Sequence, residues 1–228
     1  AFDLIAFSLH FEPDYPNLLK ILELAKIPFM AAERTGADPL ILVGGVCAFF
    51  NPEPVADFVD LFAVGEGECF VDQIVERFVA FQGRPRQEVL EGMAEIEGIY
   101  VPAFYEPVYN DDGTVLRYLP ELPHFLKRHV EDLKQWDTSS VILTDDTEFG
   151  RMYLVEASRG CGRNCRFCLA GYISLPPKYR GLDYLARKMK DAAALTDRIG
   201  LIGAALSDHP FIRQFCKGLE GIKLSVSS

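Results

Sequence analysis

Residues 2–9 read Phe-Asp-Leu-Ile-Ala-Phe-Ser-Leu, the nearly continuous apolar run of a parallel strand covered on both faces. From Tyr15 to Lys26 the residues Leu18, Leu19, Leu22 and Ala25 recur at helical spacing. The pattern predicts a second buried strand over 39–43, ending at Gly44-Gly45. A helix over 52–59 is expected next, with Asn51 as its cap and Pro52 at its first position. Leu61 to Val64 reads as a third strand, ending at Gly65-Glu66-Gly67-Glu68, and Cys69 to Phe81 as a strongly periodic helix. This alternation means βαβ units and a doubly wound parallel sheet. Both glycine pairs fall at the carboxyl ends of strands, where open α/β sheets take ligands. The competing reading is that each glycine only serves its own tight turn. The run from Gly65 to Glu68 is not a dinucleotide fingerprint, because it lacks a third glycine and its acids repel phosphate.

Residues 83–98 read as an exposed, charged linker. Residues 98–102 and 104–109 alternate like short strands, and Asn110-Asp-Asp-Gly113 is a turn from which 115–119 returns as a hairpin. Residues 120–149 mix prolines with polar residues around one amphipathic stretch, 125–136, in which Trp136 is a packing anchor. From Met152 the alternation resumes: strand 152–155, helix 182–195, strand 198–203, helix 210–219 and strand 222–226. That order follows β/α-barrel logic, with functional loops at the carboxyl ends of the strands. The predicted organisation is an α/β domain over 1–82, a connector with a hairpin over 83–150, and the first part of a β/α barrel over 151–228.

The 228 residues carry a net charge of −10, which argues against general binding of nucleic acid or an anionic membrane. No apolar run reaches the length of a membrane span, and no signal-peptide pattern is visible. Six cysteines, unevenly placed, do not make a disulfide framework, and free thiols suit a cytoplasmic location.

Three of those cysteines stand close together: Cys161, Cys165 and Cys168, in Glu156-Ala-Ser-Arg-Gly-Cys-Gly-Arg-Asn-Cys-Arg-Phe-Cys168. A cubane iron–sulfur cluster takes one thiolate per iron, so three thiolates leave one iron open to a substrate. A structural zinc site takes four ligands, usually in two pairs, and the second pair is missing here. His209 and Cys216 would have to complete it from a distance. Inert thiols are the remaining alternative.

The C-x3-C-x2-C spacing, with the aromatic Phe167 before the last cysteine, resembles the signature of the radical S-adenosylmethionine (SAM) superfamily. The resemblance implies a [4Fe-4S] cluster on Cys161, Cys165 and Cys168. It also implies SAM bound at the open iron and cleaved reductively to a 5′-deoxyadenosyl radical that modifies a substrate. Phe167 belongs to the cofactor-binding loop. The Gly-Gly-Glu-type motif that holds the SAM amino group matches Ile202-Gly-Ala-Ala-Leu-Ser-Asp208, so Gly203, Ala204 and Ala205 are expected to reach SAM through backbone carbonyls. The acid of that motif is displaced to Asp208 or absent. Ser225, Ser227 and Ser228 end the next strand within reach of SAM or substrate, and His209 is a candidate catalytic histidine. Arg159, Arg163 and Arg166 either offset the cluster's charge or are ordinary loop charges.

Residues 1–82 resemble the later half of the cobalamin-binding-like domain that precedes the barrel in many radical SAM proteins. The Gly44-Gly45 loop and the Asn51-Pro-Glu-Pro54 and Gly65-Glu-Gly-Glu68 motifs carry this likeness and point to an uncharacterised subgroup. The Asp-x-His-x-x-Gly loop through which such domains take cobalamin is missing, since His10 lacks the flanking Asp and Gly; cobalamin is a possible cofactor that this departure argues against. The resemblance implies an oxidoreductase or transferase served by an electron donor such as flavodoxin or ferredoxin. It also implies more barrel units than the three strands after Met152 supply, so the chain is expected to be a fragment, inactive by itself. The alternative is a non-catalytic iron–sulfur or zinc binding module.

Overall fold

The computed structural model describes residues 2–120, 128–130 and 132–218, and the backbone of Leu224–Ser227. The chain divides into two compact units, Ala1–Val130 and Glu131–Ser228. The expected boundaries at 82 and 150 differ from this division: most of the connector packs into the first unit and the rest into the second.

The first unit begins with strand β1 (Leu4–Ser8), helix α1 (Tyr15–Ala25), strand β2 (Leu40–Gly44) and short helix α2 (Val46–Phe50). Strand β3 (Leu61–Ala63), helices α3 (Val71–Ala80) and α4 (Arg86–Ala94) and strand β4 (Ile99–Tyr100) follow. The sheet order is β1-β2-β3-β4, parallel across the first three and antiparallel at β4. Central β2 is buried from Leu40 to Val43, and its side chains alternate between two filled faces. Leu40 and Leu42 join Leu61, Ala63, Phe70, Ile74, Leu90 and Met93 in one cluster, while Ile41 and Val43, pointing the other way, are fully buried too. Contrary to the expectation for a run so apolar, β1 is an edge strand that is only partly covered.

Two further expectations are corrected. The segment after Pro52 is a 3-10 turn (Glu53–Phe58) rather than an α-helix, and its N-cap is Pro52 rather than Asn51, whose Oδ1 accepts from the Glu53 N–H at 3.2 Å. The predicted linker 83–98 contains α4, whose Val89, Leu90 and Met93 are core residues. Gly92 makes room there, because a Cβ on it would lie 2.7 Å from the Phe81 ring. The expected hairpin is present as strands β5 (Glu106–Tyr109) and β6 (Val115–Leu119), paired antiparallel.

One glycine of each pair is explained by backbone contact. Gly45 has φ +91°, and a Cβ there would stand 2.5 Å from the Leu9 carbonyl oxygen. Gly65 has φ +150°, and a Cβ there would stand 2.3 Å from the Arg128 carbonyl oxygen. Residues 128–130 run alongside: the Glu66 N–H donates to the Arg128 carbonyl at 2.9 Å, and the Val130 N–H donates to the Glu66 carboxylate. Both glycines therefore serve the chain's own packing at the carboxyl edge of the sheet.

The second unit contains strands β7 (Tyr153–Glu156) and β8 (Ser158–Arg159), helix α5 (Ala170–Ile173), strand β9 (Lys178–Tyr179) and helix α6 (Leu182–Ala193). Strand β10 (Ile199–Ile202), helix α7 (Ile212–Lys217) and strand β11 (Leu224–Ser227) complete it. Strands β7, β10 and β11 form a parallel sheet in that spatial order, the sequential order of a β/α barrel. Helix α6 covers it, with Leu185, Met189 and Ala192 packed into the cluster of Val155, Ile199 and Leu201. The connector contributes here as well: Ser139 bridges antiparallel to Val155, and the Ser140 N–H donates to the Leu154 carbonyl at 2.9 Å. Leu133 is the buried anchor of this segment, whereas Trp136 is half-buried. Residues 125–127 and 131 of the expected amphipathic stretch lie outside the described residues.

Candidate metal and cofactor site

The cysteine loop leaves the carboxyl end of β7 through β8 and returns through β9. Antiparallel pairing of Ser158 with Tyr179 and Arg159 with Lys178 closes its stem. The Arg180 N–H donates to the Ala157 carbonyl at 2.9 Å, just below the paired residues. Gly160 opens the loop with φ +79°, and a Cβ on it would lie 2.0 Å from the Ser174 carbonyl oxygen, so only glycine fits. Asn164 takes the left-handed conformation with φ 49°, and the Cys168 N–H donates to the Cys165 carbonyl at 3.0 Å.

Cys161, Cys165 and Cys168 are all free thiols, each half-buried. Among the described residues no three His, Cys, Asp or Glu side chains are arranged as a metal site, so the thiols are not preassembled. The donor set still fits an iron–sulfur cluster: three thiols on one closed loop, with no fourth cysteine or histidine on that loop. It fits zinc poorly. His209 is buried with both ring nitrogens engaged: the Phe211 N–H donates to Nδ1 at 3.2 Å, so Nε2 carries the proton and donates to the Arg180 carbonyl at 3.0 Å. Cys216 is exposed on α7. Phe167 projects into solvent, 93% exposed, beside Cys168.

Two of the three loop arginines are bound to carboxylates. Arg159 donates to Glu156 through Nε at 2.7 Å and Nη2 at 3.0 Å. Glu156 also accepts from the Thr138 hydroxyl at 2.5 Å. Arg180, almost fully buried, donates from Nη2 to the same hydroxyl oxygen at 2.6 Å and lies over the Tyr184 ring. Arg163 donates to Asp208 in a bidentate pair, Nε at 2.6 Å and Nη2 at 2.5 Å. These hydrogen bonds hold the Asp208 carboxyl below its usual range.

The 203–208 loop follows β10 as the cysteine loop follows β7, and Ile202 pairs in register with Glu156. Both loops therefore leave the same carboxyl edge. Gly203 is buried, Ala204 exposed and Ala205 half-buried. Gly203 has a steric reason to be glycine, since a Cβ on it would meet the Ser158 Oγ at 2.2 Å. Ser225 and Ser227 lie on β11, where backbone alone is described, and Ser228 lies outside the described residues. The sequence reading missed Glu156, Thr138 and Arg180. Glu156 had a signal, as a charged residue closing an apolar strand just before the cysteines. Thr138 and Arg180 meet it only through the fold.

Residues 1–102 match the family described as radical SAM proteins, N-terminal. Over these residues the chain is similar to the N-terminal region of radical SAM proteins. Among particular relatives, an uncharacterized protein of Methanocaldococcus jannaschii is 28% identical over 231 residues, a match covering 100% of this chain and 44% of that protein. The chain thus spans less than half the length of this relative. Among solved structures, the cobalamin-dependent SAM radical enzyme OxsB with aqua-cobalamin and SAM bound superposes with a TM-score of 0.57 at 17% identity. That match covers 98% of this chain and 30% of OxsB. The same enzyme with aqua-cobalamin alone gives 0.53 at 18% identity, again over 98% of this chain and 30% of OxsB. At these identities the likeness is one of fold. No helix among the described residues is long and apolar enough to cross a membrane.

Proposed function

We propose that this chain is part of a radical SAM iron–sulfur enzyme, with Cys161, Cys165 and Cys168 as the ligands of a [4Fe-4S] cluster. The observation that carries the proposal is the closed loop: three free thiols between the paired β8 and β9, on the carboxyl edge of a β/α sheet. The family match of residues 1–102 supports the class. When bound, the cluster supplies the electron that splits SAM into methionine and a 5′-deoxyadenosyl radical.

The chain's own residues hold and orient. Gly160 lets the loop turn under Ser174, and the Arg159–Glu156 pair braces its first arm. Gly203, Ala204 and Ala205 offer backbone carbonyls to the SAM amino group from the neighbouring loop. Ser227 is a further candidate contact at the next strand end. A flavodoxin or ferredoxin is the proposed electron donor, and the substrate belongs to the whole protein. His209 is assigned a structural role, because both of its nitrogens are engaged. A cobalamin role is left to the whole protein: within this chain Gly45 and Gly65 are packed against its own backbone.

The test is SAM cleavage by the anaerobically reconstituted full-length protein with dithionite. Formation of 5′-deoxyadenosine that disappears in the Cys165→Ala variant is the expected result. A reducible cluster without any SAM cleavage, with or without candidate substrates, would favour a non-catalytic iron–sulfur module.

A further inference from the structure

Asp208 occupies the region where the sequence placed the missing acid of the SAM-binding motif, yet its carboxylate is taken. Both oxygens accept from the Arg163 guanidinium, at 2.6 and 2.5 Å. Arg163 sits between Cys161 and Cys165 in sequence, on the segment of the loop that joins them. The pair joins two loops that leave adjacent parallel strands, β7 and β10, across 45 residues of sequence. Its side chains remain 59% and 34% exposed, so it contributes little to folding stability. A bidentate fork fixes geometry beyond what its energy suggests. Its two charges cancel, so the segment between the first two cysteines carries no net charge from Arg163.

We propose that the Arg163–Asp208 pair is a charge-neutral latch that seats the cysteine loop against the 203–208 loop and sets the local charge beside the metal centre. Asp208 is then a positioning residue acting through Arg163, not a ligand of the SAM amino group. The inference rests on the reading of the cysteine loop as the cluster site.

Two effects separate in variants. Asp208→Asn leaves Arg163 uncompensated, and positive charge favours the reduced cluster, so the midpoint potential rises. Arg163→Gln leaves Asp208 uncompensated, and the potential falls. The double variant restores neutrality, and the potential returns towards that of the wild type. The latch is nonetheless broken in all three, so each loses iron to a chelator faster than the wild type. Asp208→Glu, which restores a carboxylate, slows that loss again.

The experiment uses the full-length protein, reconstituted anaerobically with iron and sulfide, with potentials from an EPR-monitored redox titration and iron loss followed with a chelator. Opposite shifts in the two single variants, cancelling in the double, are the expected result. Unchanged potentials and unchanged iron loss in both single variants would overturn the latch while leaving the cluster reading intact. If Asp208→Asn takes up no cluster, Asp208→Glu is expected to recover it, and failure of that recovery also overturns the latch. A wild type that takes up no cluster overturns the reading beneath the inference, and the inference with it.

Discussion

Gly203 lies against Ser158 with no room for a methyl group: a Cβ on Gly203 would stand 2.2 Å from the Ser158 hydroxyl oxygen. That oxygen is buried and makes no hydrogen bond among the described residues. The contact ties the start of the cysteine loop to the first residue after β10, so a glycine expected to approach a cofactor is also fixed by packing. Gly203→Ala is expected to cost about 1–3 kcal/mol through overpacking. Ser158→Ala deletes an unpaired buried hydroxyl and is expected to be neutral or stabilising. Denaturant melts of the two variants check this, and a Gly203→Ala variant as stable as the wild type would mean that the loops separate easily.

Asp60 sits between two arginines in the first unit. It lies 2.9 Å from Arg34 Nη1 and 2.8 Å from Arg86 Nη2, and it accepts from the Ile41 N–H at 2.7 Å. The Arg34 and Asp60 side chains are 0% and 2% exposed. Removing the carboxylate leaves a buried charge without its counterion, at a cost of ~3–5 kcal/mol. Asp60→Ala should therefore lower the denaturant midpoint of this unit strongly. A loss below ~1 kcal/mol would mean that the pair behaves as a surface ion pair.

Gly65→Ala combines φ +150° with a 2.3 Å clash against the Arg128 carbonyl and is expected to dislodge residues 128–130. Gly36, which has open space around it and no positive φ, is the control, and Gly36→Ala should change stability by less than ~0.5 kcal/mol. Amide exchange at Glu66 and Val130, whose N–H groups bond across this contact, should accelerate in the first variant alone.

His209 has its pKa lowered by burial, against smaller opposing contributions from backbone hydrogen bonds. The unfolded chain therefore binds a proton at higher pH than the folded one. The stability linked to His209 is full above the unfolded value of 6.5 and is lost as pH falls from there towards the lower folded value. His209→Gln keeps a donor for the Arg180 carbonyl without titrating, so its stability should fall less than that of the wild type between pH 7 and 5. Parallel curves for the two proteins would show that the imidazole titrates alike in both states.

Most of the βαβ order was readable because β2, β3, α1 and α3 carry unbroken periods. The apolar run of β1 did not reveal its partial exposure, because among the described residues it pairs with β2 alone. Helix α4 was hidden by its charges and by Gly92, whose purpose is visible only once the Phe81 ring packs on it. The spacing of the three cysteines was visible in the sequence, and the fold places them on one closed loop. The latch was not: Arg163 and Asp208 are 45 residues apart and meet only because β7 and β10 are neighbours.

Three cysteines, and no others, are proposed to hold a cluster in the whole protein. The most direct measurement is iron and sulfide content with EPR after dithionite reduction, on the full-length protein reconstituted anaerobically. Wild type is compared with Cys161→Ala, Cys165→Ala and Cys168→Ala, and with Cys69→Ala and Cys216→Ala as controls. A reducible cluster is expected in the wild type and both controls, with its loss in each of the three loop variants. A cluster that survives the triple Cys161/Cys165/Cys168→Ala variant, or a wild type that takes up none, would contradict the proposal.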